Sequence, residues 1–487
     1  MLVNNPEWAY NIGMVTLRAA VAKEQWVNDV HSRLNPTRVA QIFVPDSAAA
    51  VRQIVKQAQS AGQFLSVAGG RHAMGGQQFG TGTWLCDMTQ MEAVRNFDPD
   101  TGRIEIEAGI QWPALINYLE QAQLGREYAW TIAQKQTGAN ALSLGGAVST
   151  NVHGRGLKMQ PFVSDVESLE LIDAQCEMRG CSRTENAELF RLAAGGYGLF
   201  GVVTAVTLRL VPRRKLRRVV EVVDAQDLMT RFHERIQAGF LYGDFQYVTD
   251  ETAPDFLRRG VFSCYDPVDD DTPFTEQHRH LTPEDWRRLA YLAHTDKAKA
   301  FDLYSRHYLS TSGQIYWSDR HQEAVYLDDY HQDLNTGASP ASEVITEIYV
   351  PRTELADFLN EAAEDFRAHQ VNLIYGTIRL IEQDTDSFLA WAKEAYACII
   401  FNLHVEHTPD GISHSAQAFR RLIDMAIRRG GSYYLAYHRY ANRAQLDACY
   451  PQFTEFLRLK QKYDPEERFS SDWYEHYRAL FPGLQAA

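Results

Sequence analysis

The sequence predicts an α+β fold in two parts: a glycine-punctuated N-terminal half, and a second half built on an antiparallel sheet flanked by helices. Three observations carry this reading. Between Val44 and Gly76 a helix-spaced apolar segment, a short strand and a glycine-rich loop follow one another. Arg103–Ala108 alternates polar and apolar residues, with Ile104, Ile106 and Ala108 on one face, as a half-buried strand does. Beyond Val219 strand-like runs are followed by helical ones, the order of an α+β domain with an antiparallel sheet.

The first helix is signalled by Pro45, Asp46 and Ser47 ahead of Val51, Ile54, Val55 and Ala58, whose spacing makes one apolar face. It leads through Gly62 into the strand Phe64–Ala68 and the loop Gly69–Gly76. A strand at Trp84–Met88, a turn at Asp98–Gly102 and a helix from Trp112 to Ala122 are expected next. Further glycine-rich stretches span Thr137–Gly156 and Ala193–Gly201, the second running into a strand from Val202 to Val211. The basic run 212–218 breaks the pattern and reads as a solvated domain linker. Further on, strands are expected at Phe245–Val248, Ser342–Val350, Asn372–Leu380 and Cys398–Val405, and helices at Thr353–His369 and Ala416–Arg429. No internal repeat is visible.

Composition narrows the function. With 487 residues, 45% of them hydrophobic, the chain is large enough for a substantial core. A formal charge of −14 repels phosphate backbones and anionic lipid, so no nucleic-acid partner is expected. No apolar run is long enough to span a bilayer, and Met1–Ala20 lacks the apolar core of a signal peptide, so no membrane partner and a cytoplasmic location are expected. The six cysteines are scattered without a Cys-x-x-Cys pair and read as buried hydrophobes in a reducing compartment. No metal site is expected. Neither a zinc-protease His-Glu-x-x-His nor a Gly-x-Ser-x-Gly nucleophile elbow is present.

Glycine tolerates close backbone approach, so a glycine-rich loop after a strand can aim several N–H donors at a pyrophosphate. One such loop is as often a tight turn. Three within one region, Gly69–Gly76, Gly145–Gly154 and Gly195–Gly201, each beside an expected strand, point to a long dinucleotide held by backbone.

These segments, with the helix after Val44-Pro45, Leu85-Cys-Asp-Met88 and the tail Lys462-Tyr-Asp-Pro-Glu-Glu-Arg-Phe469, resemble the vanillyl-alcohol-oxidase superfamily of FAD-linked oxidases. The resemblance implies a PCMH-type FAD-binding domain of two α/β subdomains over 1–215, a substrate domain over 216–440 lying above the isoalloxazine, and a segment 441–487 returning to the FAD domain. It places Gly69, Gly70, Arg71, His72, Ala73, Met74, Gly75 and Gln77 of the first loop on the cofactor. Gly145, Gly146, Ser149, Thr150, His153 and Gly154 of the second join them, as do Gly198 and the strand residues Val202 and Val203. His72 stands where many members attach the flavin 8α-methyl group to a histidine nitrogen. A noncovalent contact is the other reading of His72, and neutralisation of the pyrophosphate is one for Arg71. His153 has a bland reading too, as an imidazole ordering its loop through a backbone hydrogen bond.

Oxidation by flavin needs a substrate C–H aimed at N5 and, for an alcohol, a group that takes or stabilises the hydroxyl proton. The stretch Ser342-Glu-Val-Ile-Thr-Glu-Ile-Tyr-Val-Pro-Arg352 resembles a strand end of alditol and aldonolactone oxidases and nominates Glu347. Thr377-Ile-Arg379 resembles the alditol-oxidase Glu-Ile-Arg segment, with Thr377 replacing the carboxylate, and nominates Arg379. His404 and His438, in aromatic strand-like contexts, complete the catalytic candidates, each with a structural alternative. The resemblance thus implies an FAD-dependent enzyme taking hydride from a CH–OH group of a sugar-, polyol- or lactone-like molecule and passing the electrons to oxygen or another acceptor. Oxidation of a C–N bond, as in cytokinin dehydrogenases, and a flavin-binding protein without a competent substrate site stand as alternatives. The oligomeric state is left open.

Overall fold

The computed structural model describes residues 25–323 and 339–483; Met1–Ala20, where the absence of a signal peptide was read, lies outside them. Three larger sheets organise the described residues, beside two of only two strands each. Gln41–Phe43, Trp84–Asp87 and Leu65–Ala68 form a parallel three-stranded sheet with Trp84–Asp87 in the middle. The helix Ala48–Ser60 packs on it with Val51, Ile54 and Val55 turned inward, and its Ser47 cap accepts a hydrogen bond from the Ala50 N–H. The second sheet is antiparallel, in the order Met178–Ser182, Val166–Ile172, Val202–Arg209, Arg103–Glu107, Val94–Asp98. The helix Trp112–Ala122 begins and ends where its apolar spacing places it.

The third sheet has eight antiparallel strands. In spatial order they are Ile315–Trp317, Lys215–Asp224, Arg259–Pro267, Tyr242–Tyr247, Leu373–Ile381, Tyr396–Glu406, Ala341–Pro351 and Ser432–Tyr433. Strand alternation gives this sheet two unlike faces. On one, Phe401 meets Phe358 and Phe366 of the helix Leu355–Ala368, with ring centroids 6.3 and 5.4 Å away, and Phe262 meets Phe232 of the helix Leu228–Gln237. That face is the apolar core. On the other, the register sets Glu347 opposite Ile400 and Ile400 opposite Thr377, with Tyr349, Cys398 and Arg379 in the next row. This second face looks toward the glycine loops, and the helices Pro283–Thr295 and Lys297–Ser310 lie over its far end.

One expectation is corrected here. The basic run is no solvated linker: Lys215–Asp224 is a ten-residue strand near one edge of the large sheet, with Leu216 and Arg218 buried, and Arg213 pairs with Asp319 at 2.8 Å. Charge density suggests water, but Arg213 and Arg217 are ion-paired and Arg218 is turned into a cavity. The glycine-rich stretch 137–156 also holds more order than a loop, because Leu144–Thr150 is a short helix capped by Ser143.

The chain's last segment comes back to the parallel sheet. Phe469 bridges Leu65, the Leu65 N–H donates to the Arg468 carbonyl at 2.7 Å, and the Ser470 N–H donates to the Leu65 carbonyl at 3.0 Å. All six cysteines are buried and unbridged. Among the described residues no helix is long and apolar enough to cross a membrane.

Candidate functional site

Two adjoining hollows meet at the glycine loops, and the wider one extends over the open face of the large sheet. The narrower is lined by Gly69 to Ala73, Gln77, Gly145, Gly146, Ser149, Thr150, Gly198 and Val203, so most of the expected cofactor residues meet around one groove. Its walls explain the glycines. A Cβ on Gly70 would stand 2.1 Å from the Ala141 carbonyl oxygen, and one on Gly145 would stand 2.9 Å from the Ala108 Cβ. Gly198, at φ +75°, occupies the left-handed region where side chains are strained. Among the described residues the buried Gln77 Oε1 and Gln78 Oε1 have no hydrogen-bond donor, so the groove carries acceptors ready for a ligand N–H. A backbone-lined cleft with such acceptors at its mouth fits FAD.

Arg71 lines the groove but its guanidinium is held by Asp87, Nη2 to Oδ2 at 2.7 Å. Gly75, Gly154 and Val202 line neither hollow. Val202 is fully buried, its side chain packed among the core residues under the first helix.

The wider hollow, of about 510 Å³, opens from the groove at His72, Ala73 and Thr150, which line both. Met74 and His153 line it too. His72 is 8% exposed, its Nδ1 is 2.8 Å from His31 Nε2, and burial with the neighbouring His31 pushes its pKa down to about 3. The ring is therefore neutral at ordinary pH.

Glu347 and Arg379 both face this cavity. Glu347 is 1% exposed and receives a hydrogen bond from Cys398 Sγ at 2.7 Å, while His153 Nε2 contacts the same Oε1. Burial acts to raise its pKa, but the His153 ring, the two hydrogen bonds and the Arg379 charge outweigh it and hold it below the ordinary carboxylate range. His153 Nδ1 lies 2.9 Å from the Gly154 carbonyl oxygen and must donate to it, so the loop-ordering bond exists, while Nε2 faces the Glu347 carboxylate. The ligand-type atoms of His153, Glu347 and Cys398 lie within 4.8 Å of one another, a convergence no spacing in the sequence reveals. Arg379, 6% exposed, donates through Nη2 to Thr137 Oγ1, and its buried Nε has no partner among the described residues.

The other two catalytic candidates are not brought to the cavity. His438 lies flat against Phe419, centroids 4.6 Å apart at 5°, with Nε2 2.9 Å from Thr346 Oγ1, and burial pushes its pKa down to about 3. His404 shares the cavity face of its strand, but four residues, roughly 13 Å, beyond Ile400. There it meets His294 edge-on at 5.2 Å, opposite Glu343 in the register. Sequence reading missed Arg155, Arg218, Tyr375 and the Tyr304–Tyr308 pair, all of which line the cavity. For Arg218 the signal was weak: Leu216 and Val220 flank it at strand spacing, but the arginine itself interrupts the apolar alternation.

Comparison with known proteins matches two separate parts of the chain. Residues 39–182 match an FAD binding domain family and residues 298–477 match the D-arabinono-1,4-lactone oxidase family. An L-gulono-1,4-lactone dehydrogenase of Mycobacterium tuberculosis is 22% identical over 434 residues, 89% of this chain and 94% of the relative. A putative D-arabinono-1,4-lactone oxidase of Neurospora crassa is 27% identical over 236 residues, 48% of this chain but 40% of the relative. The L-gulonolactone oxidase of Bos taurus is 27% identical over 191 residues, 38% of this chain and 42% of its own. The matched stretch is thus under half the length of the fungal and bovine relatives.

Proposed function

We infer that this chain, which carries an FAD-binding domain and an aldonolactone-oxidase domain, is an FAD-dependent oxidoreductase acting on the CH–OH group of a sugar- or lactone-like molecule. One observation carries the reading most: a glycine-walled groove opens at His72 and Thr150 onto a cavity in which a buried carboxylate and a buried guanidinium face the same space. The flavin supplies the hydride acceptor. The protein supplies the rest. Glu347, kept ionised, accepts the hydroxyl proton as the C–H bond breaks, and His153 and Cys398 fix its orientation. Arg379 offers its fork to the substrate oxygen and stabilises the negative charge that gathers there. The aromatic rings of Tyr375, Tyr434 and Tyr437 wall the cavity and exclude water.

Covalent attachment of the flavin through His72 belongs to this reading. It is supported by a ring that sits where groove and cavity meet and is kept neutral by burial and the neighbouring His31. Acid precipitation tests it: yellow colour stays with the protein in the wild type and is released from His72→Ala, whereas colour released from the wild type removes the link. Six buried thiols support a reducing, cytoplasmic setting. The electron acceptor is a small molecule, and oxygen is the first to test, by peroxide formation on aerobic turnover. The activity itself is tested by mixing holoprotein with aldonolactones without oxygen. Loss of the visible flavin band is expected, and a band that persists refutes the oxidoreductase reading.

A further inference from the structure

The large cavity is far more basic than the protein around it. Arg155, Arg218, Arg279, Arg320 and Arg379 line it, against Asp244, Glu323 and Glu347, in a chain of net charge −14. The acids are mostly spoken for. Glu323 pairs with Arg320 at 3.0 Å, and Glu347 is engaged by His153 and Cys398. Asp244 pairs with Arg155 at 3.5 Å. Arg218 is 9% exposed and has no carboxylate partner among the described residues. Its fork donates to Tyr265 Oη and, at 3.1 Å, to Thr311 Oγ1, and its guanidinium carbon lies 4.7 to 5.2 Å from the ring centres of Tyr316, Tyr308 and Tyr265. Arg155 leans over the same Tyr265 ring at 4.9 Å, and its buried Nε has no partner among the described residues.

A buried guanidinium without a counter-ion is costly to keep; Arg218 is one, and Arg155, which has Asp244 for its acid, shares the Tyr265 ring with it. The neighbourhood repels further positive charge. Lys135, behind the cavity residues Gln136 and Gln322, is pushed down to about 7 by burial and by Arg155 and Arg379, against the pull of Glu323. An incoming oxyanion relieves this arrangement. It meets N–H donors fixed in place by aromatic packing, the geometry that suits arginine to carboxylate and phosphate.

We propose that the Arg155–Arg218 end of the cavity is a subsite for an oxyanion carried by the substrate, so that the substrate is an acidic sugar derivative bearing a carboxylate or phosphate remote from the carbon being oxidised. The strands of Arg218 and Arg379 are three steps apart in the sheet, roughly 14 Å, so the anion binds well away from Glu347. Binding there holds the CH–OH group in register with the reacting end. The proposal rests on the reading of this cavity as the substrate site.

The test separates the two. Holoprotein is titrated calorimetrically at fixed ionic strength with inorganic phosphate and with malonate, as wild type, Arg218→Gln, Arg155→Gln and Arg218→Lys, with FAD content as the folding control. At least one anion is expected to bind, which of the two telling phosphate from carboxylate. Each Gln variant should weaken binding roughly ten- to a hundredfold, with Arg218→Lys in between. In the wild type alone, a sugar phosphate or sugar acid should show a KM at least tenfold below that of the neutral sugar with the same ring, an arm that holds even if the variants do not fold. No binding of either anion to the wild type, unchanged binding in Arg218→Gln, or no preference for the charged sugar overturns the subsite. If an anion binds in an Arg218-dependent way while no sugar reduces the flavin, the subsite stands and the oxidoreductase reading falls.

Discussion

Glu347 concentrates the chemistry in one side chain. It is buried, lines the cavity, and is held on one oxygen by His153 and Cys398, with its pKa below the ordinary carboxylate range. Glu347→Gln keeps the shape and removes the base, so anaerobic flavin reduction should slow by roughly 10²–10⁴-fold while FAD stays bound; reduction at the wild-type rate would transfer the role to another group. The same residue sets a pH limit. Because its pKa lies below the usual carboxylate range, the active ionised form persists to lower pH than in an ordinary glutamate and is lost only as the pH falls through the lowered value. The stability that Glu347 contributes fades in that same direction. A stopped-flow pH profile of flavin reduction should therefore be free of a Glu347 step near neutrality, and a limb there would contradict the assignment. Histidines illustrate what residue type alone does not convey. His153, for which the sequence favours a structural role, reaches the cavity, whereas His438 is stacked on Phe419 outside it.

At the level of elements, local signals were legible wherever apolar spacing faces a core. The helix Ala48–Ser60, the helix Trp112–Ala122 and the central strands of the large sheet lie within a few residues of their expected places. The strand Lys215–Asp224 was not legible, because its inward residue Arg218 faces a cavity and so breaks the apolar alternation on which strand recognition depends. The helices Pro283–Thr295 and Lys297–Ser310 were missed for a related reason. They bury little, Leu292 being the one buried residue between them, so their sequences carry no strong apolar stripe. The glycine loops were legible as a group, and the structure supplies the reason for each tight one. Gly70→Ala drives a Cβ against a backbone carbonyl that has no rotamer to escape into. It should lower stability by about 1–3 kcal/mol and reduce FAD content, read by thermal melting and by the flavin-to-protein absorbance ratio.

Across the whole molecule, long-range closure decides whether the groove exists. The tail returns to pair Phe469 with Leu65, one strand away from Gly69, and the Ala436 carbonyl accepts from the Gly75 N–H at 3.1 Å and from Gln77 Nε2 at 2.9 Å. The turn before Phe469 is built on a buried ion pair, Lys460 with Asp464, 0% and 2% exposed, whose carboxylate also accepts from the Arg468 and Phe469 N–H groups. Lys460→Ala leaves that carboxylate buried without its cation, so a loss of about 3–5 kcal/mol is expected, with weakened FAD retention. A melting curve with flavin fluorescence detection reads both. The family motifs of this tail were readable in the sequence, but its partner across the fold was not, because that contact joins residues some four hundred positions apart.

The most direct measurement is an anaerobic titration of the purified holoprotein with aldonolactones and acidic sugars while the visible flavin band is recorded. The account expects the band to bleach with at least one of them, more readily with a charged sugar than with its neutral counterpart, and to recover when an electron acceptor is admitted. A flavin band that no compound of this class diminishes would contradict it.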